Sequence, residues 1–377
     1  MTETGPLHIL HTESSCGWGG QEIRILTEAR GMLDRGHEVT IACPPEAPIF
    51  SAAHKHGIPV VAQPIARKKL GGIAALRQYL KSQARVQVLN THSSTDSWLS
   101  ALACATLRRA PVIVRTRHVS TRIGNNAPTR WLYQRAAQHI VTTGEALRAQ
   151  LVRDNGFDAT RITSIPTGID LVRYCPMDKR AARTTLGLDT DAHYLGIVAT
   201  LRNWKGHLYL LEALASLASQ HPGWRLLMVG DGPLRQKYET MIANLGLREH
   251  VIMPGNREDV PLWLNSMDIF VLPSYGEEGI SQSVMQAMAC QLPVITTTVG
   301  ALPEAVVDEE TGLLVPPRDV VALKGAIDRL MRDAPLRVRL GGAGHKRAQT
   351  RFGLGLMLDG MEQVFRRALA EQQTCAA

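Results

Sequence analysis

The sequence predicts an α/β protein with two doubly wound parallel sheets. Apolar runs of strand length alternate with amphipathic segments of helix length, and this plan starts twice along the chain. Strands this apolar are typical of parallel sheets that helices cover on both faces. The 377 residues are enough for two domains that each bury a core. We expect the domains to face each other across a cleft, with ligands at the carboxyl ends of the strands.

The first domain, residues 1–168, begins with a strand, a glycine-rich turn and a helix. The run LHILHT precedes CGWGGQE, and the next segment carries Ile23, Leu26, Ala29 or Arg30, and Leu33 at helical spacing. The run HEVTIACPP predicts a strand that ends at prolines. Further strands are predicted over residues 59–61, 86–90, 112–116, 139–143 and 161–165.

The same plan predicts a second domain over residues 169–354. Its strands are expected over 193–201, 224–233, 251–255 and 268–274. The helices between them are expected over 205–223, 234–247 and 260–267. Residues 355–373 are expected to form a helix that joins the first domain.

The excess of positive charge lies in the first half of the chain. Residues 1–170 hold 20 lysines and arginines against 12 acidic residues, whereas the remainder holds 22 of each. This asymmetry favours an anionic partner, such as a nucleic acid, an acidic membrane surface or a phosphorylated substrate, although solvated arginines explain it equally well. Aromatic residues make up only 5% of the chain and do not alternate with the basic ones, so we expect no nucleic-acid partner.

The chain has the features expected of a cytoplasmic protein. Its first residues, MTETGPLHILHT, lack the basic start and apolar core of a secretory signal, and no run of about 18 apolar residues is present. The six cysteines are scattered without a CxxC pair. This scatter favours reduced, buried thiols over a disulfide framework or a zinc site.

Glycines and histidines mark the strand ends of the first domain. Gly19 and Gly20 precede the first helix, where glycine permits positive φ and a helix start offers N–H groups to a phosphate. His92 and His118 each follow a predicted strand and are candidate acids, bases or hydrogen-bond donors, with a structural role as the alternative. The arginines near His118 are expected to lower its pKa by like-charge repulsion; they are Arg115, Arg117 and Arg122.

Two cations, Arg202 and Lys205, follow the first strand of the second domain in ATLRNWKGH. An arginine can hold a diphosphate through two parallel hydrogen bonds, and a lysine can hold it as a point charge. A positive charge at a helix start opposes the helix dipole, and a bound anion would explain its placement there.

Together these segments resemble the retaining glycosyltransferases of family 4, which have the GT-B fold of two Rossmann-like domains. The resemblance extends over nearly the whole chain, and its main segments are GGQEIRILTEARGMLDRGHEVTIACP, NTHSSTDSW, RTRH, TGIDLVRYCP, LRNWKGH, VGDGP, PSYGEEGISQSVMQAMACQLPVITTTVGALPE and TGLLVPPRD. The family's donor-binding signature is an acidic residue, seven others and a second acidic residue. Glu278 matches the first, and Gln286 stands in place of the second.

The resemblance implies a role for each residue of the candidate site. Glu278 would contact the hydroxyls of the donor sugar, Gln286 would hold the ribose, and His118, followed by His92, would hydrogen-bond the reacting centre. The groups near the sugar and the diphosphate would be Gly19, Gly20, Arg202, Lys205, Gly279, Ile280, Ser281 and Gln282. Asn256 and Arg257 would contribute to recognition of the base.

The implied reaction moves a sugar, with retention of its anomeric configuration, from a UDP- or GDP-linked donor to a lipid-linked or phosphorylated saccharide of the cell envelope, as in lipopolysaccharide biosynthesis. No cofactor or metal is expected, and the basic first half would contact the inner face of the cytoplasmic membrane only peripherally. Two alternatives remain: a nucleotide-sugar 2-epimerase of the same architecture, and a protein that binds a nucleotide-sugar without catalysis.

Overall fold

The chain forms two compact units. Unit 1 comprises the residues up to Gly168 together with those from Gly355 onward, and unit 2 comprises Ile169–Leu354. The computed structural model describes residues 5–119, 121–276 and 278–376. For residues 375 and 376 it describes the backbone alone. Each unit is built around its own parallel sheet.

Unit 1 contains a seven-stranded parallel sheet in the order β3-β2-β1-β4-β5-β6-β7. The strands are β1 His8–Thr12, β2 Glu38–Cys43, β3 Val60–Ala62, β4 Val88–Thr91, β5 Val112–Arg117, β6 His139–Thr142 and β7 Ile162–Ser164. The order reverses at β1, which pairs with β2 on one side and with β4 on the other. These strands lie at the predicted places and differ from the prediction only by small shifts at their ends.

The helices of unit 1 connect successive strands, as the alternation of apolar patterns predicts. They are α1 Gly20–Asp34, α2 Pro48–Lys55, α3 Leu70–Ser82, α4 Ser94–Cys104, α5 Ala127–Trp131 and α6 Glu145–Asn155. A π-helical turn over Leu132–Ala136 continues α5. Helix α4 begins with a capping box in which Ser93 and Asp96 satisfy each other's backbone N–H groups.

Helix α1 buries part of the apolar stripe that its spacing indicates. Ile23 is 39% exposed, whereas Leu26 and Ala29 are buried. The other buried side chains of this face include Ile25 and Met32. Arg24 is also fully buried and donates from Nη1 to the Ile165 carbonyl oxygen at 2.8 Å.

Unit 2 contains a six-stranded parallel sheet in the order β10-β9-β8-β11-β12-β13. The strands are β8 His193–Val198, β9 Trp224–Val229, β10 Val251–Gly255, β11 Ile269–Leu272, β12 Val294–Thr297 and β13 Leu313–Val315. The order reverses at β8, which pairs with β9 and with β11. Two parallel sheets with connecting helices confirm the predicted α/β class.

The helices of unit 2 follow the same plan. They are α7 Lys179–Thr185, α8 His207–Ala215, α9 Arg235–Asn244, α10 Val260–Ser266, α11 Gln282–Ala289, α12 Leu302–Ala305, α13 Val320–Arg332 and α14 Ala334–Arg351. The final helix, α15, spans Leu354–Ala376, and its residues from Gly355 onward belong to unit 1. In the described part of the chain, no helix has both the length and the apolar character needed to cross a membrane.

The cysteines with described side chains are free thiols. Cys43, Cys104 and Cys290 are buried, and burial raises the pKa of each thiol to about 12. Cys16 is exposed, so the prediction of buried thiols was wrong for this residue. It lies in the polar turn between β1 and α1, where no apolar layer covers the chain.

Candidate functional site

Each unit gathers predicted site residues at the point where its strand order reverses. In unit 1, β1 lies beside β4, with His11 opposite Asn90 and Thr12 opposite Thr91. In unit 2, β8 lies beside β11, with Gly196 opposite Phe270. The loops that follow such neighbouring strands leave a crevice at their carboxyl ends, which is the usual ligand position in open α/β sheets.

Lys205 and Glu278 form an ion pair in unit 2. The Lys205 Nζ lies 2.7 Å from the Glu278 Oε1, and the two side chains are only 20% and 12% exposed. Lys205 ends the turn after β8, and Glu278 follows β11, so the reversal of strand order brings them together. The structure therefore joins two of the predicted donor residues, in a pair that sequence reasoning did not anticipate.

The loop that carries Glu278 is held from two sides. The Ser274 hydroxyl donates to Glu278 Oε1 at 2.8 Å, and the Ala301 N–H donates to the Glu278 carbonyl oxygen at 2.9 Å. Gly300 has a φ of +55°, and a Cβ there would lie 2.0 Å from that carbonyl oxygen. Only glycine fits at this close approach, which fixes the backbone of Glu278.

The turn that carries Lys205 packs against the same loop. Gly206 has a φ of +78°, and a Cβ there would lie 1.9 Å from the Pro273 carbonyl oxygen. The Tyr275 N–H donates to the Trp204 carbonyl oxygen at 2.8 Å. Arg202 is exposed, and its guanidinium carbon lies 5.2 Å from the centre of the Trp204 ring. Within the described residues Arg202 forms no ion pair, so its charge is available to a ligand.

Helix α11 begins beside Glu278. Ile280 and Ser281 are buried, and Ser281 is the residue before the first helical residue, Gln282. The first N–H groups of a helix lack intrahelical acceptors and attract anions. Gln286 lies one turn later, on the same face as Gln282, and is partly exposed. Gly279 precedes this start, so the predicted donor segment is continuous with the helix.

Asn256 and Arg257 lie apart from this cluster. They follow β10, and β9 separates that strand from β8. Arg257 is held by Asp259, with two hydrogen bonds of 2.9 Å, and its guanidinium lies 5.5 Å from the centre of the Trp263 ring. No contact in the described residues links this pair to Lys205 or Glu278. Their role in base recognition stays a prediction.

Gly19 and Gly20 stand at the start of α1, as predicted. Gly19 has a φ of −178°, which is extended backbone that any residue adopts, and Gly20 is the first helical residue. A Cβ at Gly19 would meet only Glu22 Oε2, at 3.7 Å. Gly19 therefore does not use the positive φ that glycine permits. The role of both glycines as phosphate ligands stays a prediction.

Three histidines form a hydrogen-bonded chain in unit 1. His11 Nδ1 lies 2.9 Å from His92 Nε2, and His92 Nδ1 lies 2.9 Å from His118 Nε2. The structure thus brings the two predicted histidines together. Sequence reasoning missed His11, which lies inside β1 and is the innermost of the three histidines. Its Nε2 lies 4.0 Å from Glu28 Oε1.

Burial keeps these imidazoles neutral near pH 7. Burial lowers the pKa of His11 to about 3, with a further contribution from the charge of Arg24. The pKa values of His92 and His118 also lie well below the usual value, and burial is again the main cause. The arginine effect predicted for His118 is present, because Arg24 and Arg115 lower its pKa further, but it is secondary to burial.

Two buried carboxyl groups lie beside the histidine chain, and sequence reasoning missed both. Asp96 accepts hydrogen bonds from Thr12 Oγ1 at 2.8 Å and from the backbone N–H groups of His92 at 2.9 Å and Ser93 at 2.8 Å. Burial raises its pKa to about 6. The signal for Glu13 was its place directly after the apolar strand β1, whereas Asp96 lies in the first turn of α4 and had no such signal.

Glu13 is the second of these carboxyl groups. It accepts hydrogen bonds from the Ser15 N–H at 2.6 Å and from the side chains of Gln21 and Ser93. Burial, followed by the nearby Asp96, raises the pKa of Glu13 to about 8. The crevice of unit 1 therefore holds carboxyl groups that keep a proton more readily than exposed ones.

The two predicted histidines line a pocket of about 410 Å³ in unit 1. Its other lining side chains include Gln21, Ser93, Trp98, Arg115, Arg117 and Tyr133. Pockets of this size, with a few converging polar groups, are typical of small-molecule sites. Among the residues that the structure describes, no cluster of histidine, cysteine, aspartate and glutamate is arranged to hold a metal ion.

Two family models match the chain. The model described as Glycosyltransferase Family 4 matches residues 18–173, and the model described as Glycosyl transferases group 1 matches residues 178–347. Only residues 174–177 separate the matched regions, which together include all the predicted site residues.

Among curated proteins, the chain is similar to bacterial glycosyltransferases. It is 33% identical over 257 residues to the D-inositol 3-phosphate glycosyltransferase of Acidothermus cellulolyticus, a match that covers 64% of this chain and 56% of that protein. It is 28% identical over 258 residues to the lipopolysaccharide core biosynthesis mannosyltransferase LpsB of Rhizobium meliloti, which covers 66% of this chain and 72% of that protein. The chain thus matches little more than half the length of the first relative.

Among solved structures, the fold is similar to a glycosyltransferase from Rickettsia africae, with a TM-score of 0.86 and 21% identity over 97% of this chain and 99% of that one. It is also similar to Anabaena Alr3699/HepE in complex with UDP, with a TM-score of 0.83 and 21% identity over 95% of this chain and 99% of that one. At this identity the similarity establishes the fold, which is the GT-B fold.

The Lys205–Glu278 pair predicts a measurable energetic coupling. Either single variant, Lys205→Met or Glu278→Gln, leaves a mostly buried charged or polar group without its partner and should lower the free energy of unfolding. The loss of unfolding free energy in the double variant should be smaller than the sum of the two single losses by about 0.5–3 kcal/mol, measured by urea denaturation. The exposed Arg30–Asp34 pair is the control and should show no measurable coupling. Additive effects at Lys205 and Glu278 would contradict the ion pair.

The raised pKa of Glu13 predicts a pH-dependent stability. An unfolded glutamate ionises near pH 4.5, whereas native Glu13 ionises near pH 8. Between these values the native state binds more protons than the unfolded state, so this group makes the protein less stable as pH rises. Glu13→Gln removes the titration, and its melting temperature relative to wild type should increase between about pH 5 and 8. The exposed Glu46→Gln is the control, and a pH-independent difference for Glu13→Gln would refute the buried acid.

Proposed function

Because the chain belongs to glycosyltransferase family 4, we propose that it moves a sugar from a nucleotide-sugar donor to the hydroxyl of a saccharide acceptor. One observation carries this proposal. Lys205 and Glu278 lie together at the strand-order reversal of unit 2, beside the start of α11. This cluster offers a cation, a carboxylate and backbone N–H groups, which are the groups needed to bind a diphosphate joined to a sugar.

In the proposed donor complex, the diphosphate is bound by Lys205, Arg202 and the N–H groups of Gly279–Ser281. An ammonium group has three N–H donors, and the bond to Glu278 uses one of them. Glu278 accepts hydrogen bonds from the sugar hydroxyls. The complex of the structurally similar Anabaena protein with UDP supports a uridine nucleotide as the first donor to test.

We propose that the reaction proceeds with retention and without a metal. The leaving diphosphate gains negative charge in the transition state, and Lys205, Arg202 and the helix N–H groups can stabilise that charge without a metal ion. We assign no covalent nucleophile; as the family resemblance implies, the acceptor hydroxyl attacks the anomeric carbon on the face from which the diphosphate departs. His118 donates or accepts a hydrogen bond at the reacting centre, and His92 is the next residue of the hydrogen-bonded histidine chain.

We propose that unit 1 binds the acceptor, a lipid-linked or phosphorylated saccharide of the cell envelope. The similarity to a lipopolysaccharide core mannosyltransferase supports this class of acceptor. Peripheral contact with an anionic membrane is supported by the exposed run Arg67–Lys69, followed by Leu70, which is 84% exposed. Salt-sensitive co-sedimentation with phosphatidylglycerol vesicles measures this contact, and its absence at low salt would exclude it.

The decisive experiment screens UDP- and GDP-sugars by thermal shift and then measures transfer to envelope saccharides. We expect one donor to stabilise the protein, and transfer to persist in EDTA and to give a product with the anomeric configuration of the donor. Lys205→Ala should lower kcat/KM on the order of 100-fold, because the diphosphate loses a charged partner in the transition state.

The control for this experiment is Lys179→Ala, which removes a different ion-paired lysine of unit 2 and should keep its donor kinetics. Release of a rearranged sugar from the donor alone would identify a 2-epimerase instead. Binding of the donor without turnover in any acceptor would identify a non-catalytic protein. Unchanged kinetics in Lys205→Ala would refute the assigned diphosphate site.

Gln286 predicts a second result. We propose that its side chain holds the ribose, where a carboxylate would accept hydrogen bonds from both hydroxyls and an amide offers one acceptor oxygen. Gln286→Glu should therefore retain sugar transfer. Its nucleotide affinity, measured by isothermal titration calorimetry, should be similar or higher, with a gain in binding free energy of about 1 kcal/mol at most. The control is Gln349→Glu, at an exposed glutamine of α14, which should leave nucleotide binding unchanged. Much weaker binding in Gln286→Glu would show that the ribose lies elsewhere.

A further inference from the structure

Strand β5 carries two arginines in the middle of the sheet of unit 1. It pairs with β4 and β6, and two of its last three residues are Arg115 and Arg117. Residues two apart on a strand point to the same face. Arg115 is 4% exposed and Arg117 is 7% exposed. Central strands of parallel sheets are normally apolar, so two buried guanidinium groups here require a specific reason.

Tyr133 holds both arginines in place. The guanidinium carbon of Arg115 lies 4.6 Å from the centre of the Tyr133 ring, and Arg117 Nη1 donates to the Tyr133 hydroxyl at 3.0 Å. Arg117 Nη2 also donates to the Thr121 carbonyl oxygen. The aromatic ring and its hydroxyl thus fix the two cations side by side at the wall of the pocket.

Arg115 differs from two other buried arginines, Arg183 and Arg24, in its lack of a carboxylate partner. Arg183 pairs with Asp268 at 2.7 Å, and Arg24 lies 3.7 Å from Glu28. Arg115 forms no ion pair with any residue in the described ranges. Its Nη1 donates only a long hydrogen bond, of 3.4 Å, to the Ser93 carbonyl oxygen, and its Nε has no partner there. Such a buried charge is unfavourable unless a ligand balances it.

Asp96 balances this charge only in part: the charge of Arg115 lowers the pKa of Asp96, but the two side chains form no ion pair within the described residues. The oxygens of Asp96 accept hydrogen bonds from Thr12 and from the backbone of His92 and Ser93, not from Arg115. Burial raises the pKa of Asp96 to about 6 and that of Glu13 to about 8, so near pH 7 Asp96 stays mostly ionised, whereas Glu13 is mostly protonated and contributes little negative charge to the pocket.

The pocket also has a surface suited to a sugar ring. Trp98 and Tyr133 line it, together with the apolar Ile123 and Leu132. Aromatic rings present a flat apolar surface with a polar edge. Cations and aromatic rings within one pocket of about 410 Å³ match a small polar ring that carries a negative charge.

We infer that this pocket binds an anionic group, a phosphate or a carboxylate, on the saccharide acceptor, with Arg115 and Arg117 as its ligands. The inference rests on the proposed function, because it gives a substrate class to the acceptor that is assigned to unit 1. Guanidinium groups suit this role, since each can bind two oxygens of a phosphate or a carboxylate. Tyr133 acts as a positioning residue that holds both of them.

The first test is binding of small probes to the full chain by calorimetry. The probes are inorganic phosphate, glucose 6-phosphate, glucuronate and glucose, in the Lys205→Ala background to remove the cation assigned to the donor site. We expect at least one anionic probe to bind and neutral glucose not to bind at the same concentration. Preference for glucose 6-phosphate or for glucuronate identifies the anionic group. Equal binding of glucose and the anions, or no binding of any anion, would overturn the inference.

The second test uses variants of the pocket. Arg115→Gln should weaken binding of the anionic probe about tenfold or more, because it removes charge-assisted hydrogen bonds. Tyr133→Phe keeps the ring beneath Arg115 and removes only the hydroxyl that accepts from Arg117, so it should weaken binding less. The control is Arg153→Gln, an exposed arginine of the same unit, which should leave binding unchanged. Equal affinities in all three variants would overturn the assignment.

Stability separates this binding role from a structural one. Without a ligand, Arg115→Gln removes an incompletely balanced buried charge, so its melting temperature should equal or exceed that of the wild type. The anionic probe should stabilise the wild type and Arg153→Gln but not Arg115→Gln. A variant that unfolds more easily with and without the probe, and still binds it, would show that Arg115 serves the fold alone.

The outcome is distinguishable from failure of the proposed function. If anions bind the pocket but no sugar is transferred to any acceptor, the proposed function is wrong, and the assignment of the pocket as an anion site is retained. If transfer to a saccharide is observed and Arg115→Gln leaves the acceptor KM unchanged, the pocket assignment fails and the proposed function stands.

Discussion

Where the strand order of a parallel sheet reverses, the loops after two neighbouring strands turn away from each other and leave a crevice at the carboxyl ends of those strands. Both candidate sites depend on this constraint. In unit 1 it places the end of β1 beside the end of β4, and so brings Glu13 next to Ser93 and Asp96. In unit 2 it places the turn after β8 beside the loop after β11, which joins Lys205 to Glu278. Residues 73 apart in the chain become partners because of strand order alone.

The two units treat buried charge differently. In unit 2, Lys205 is already balanced by Glu278, so a donor must share the lysine with the carboxylate. In unit 1, Arg115 is stacked on Tyr133 and has no carboxylate partner within the described residues. A balanced site binds a ligand by exchanging partners, whereas an unbalanced one gains from any suitable anion. This difference suits one unit to a diphosphate with a sugar attached and the other to a single anionic group.

The sequence predicts the fold class because strand and helix patterns are local properties of the chain. Apolar runs place the strands to within a few residues, and the family resemblance points to Lys205 and Glu278. The ion pair between them was not predictable, because no local pattern reports strand order. The burial of Arg24 in α1 was not predictable for a related reason: its partner, the Ile165 carbonyl oxygen, lies 141 residues away in the chain. His11 was missed since a histidine inside an apolar strand has no distinctive spacing.

The histidine chain has a consequence for the proton at its outer end. A neutral imidazole has one N–H and one lone pair, so His11, His92 and His118 must all carry their proton on Nδ1 or all on Nε2. The Nε2 form directs the inner N–H of His11 towards Glu28 and leaves the Nδ1 of His118 as a lone pair. Ionisation of Glu28, whose pKa burial raises to about 7, favours this form. The far carboxylate thus selects, through three rings, whether His118 presents a lone pair or a proton.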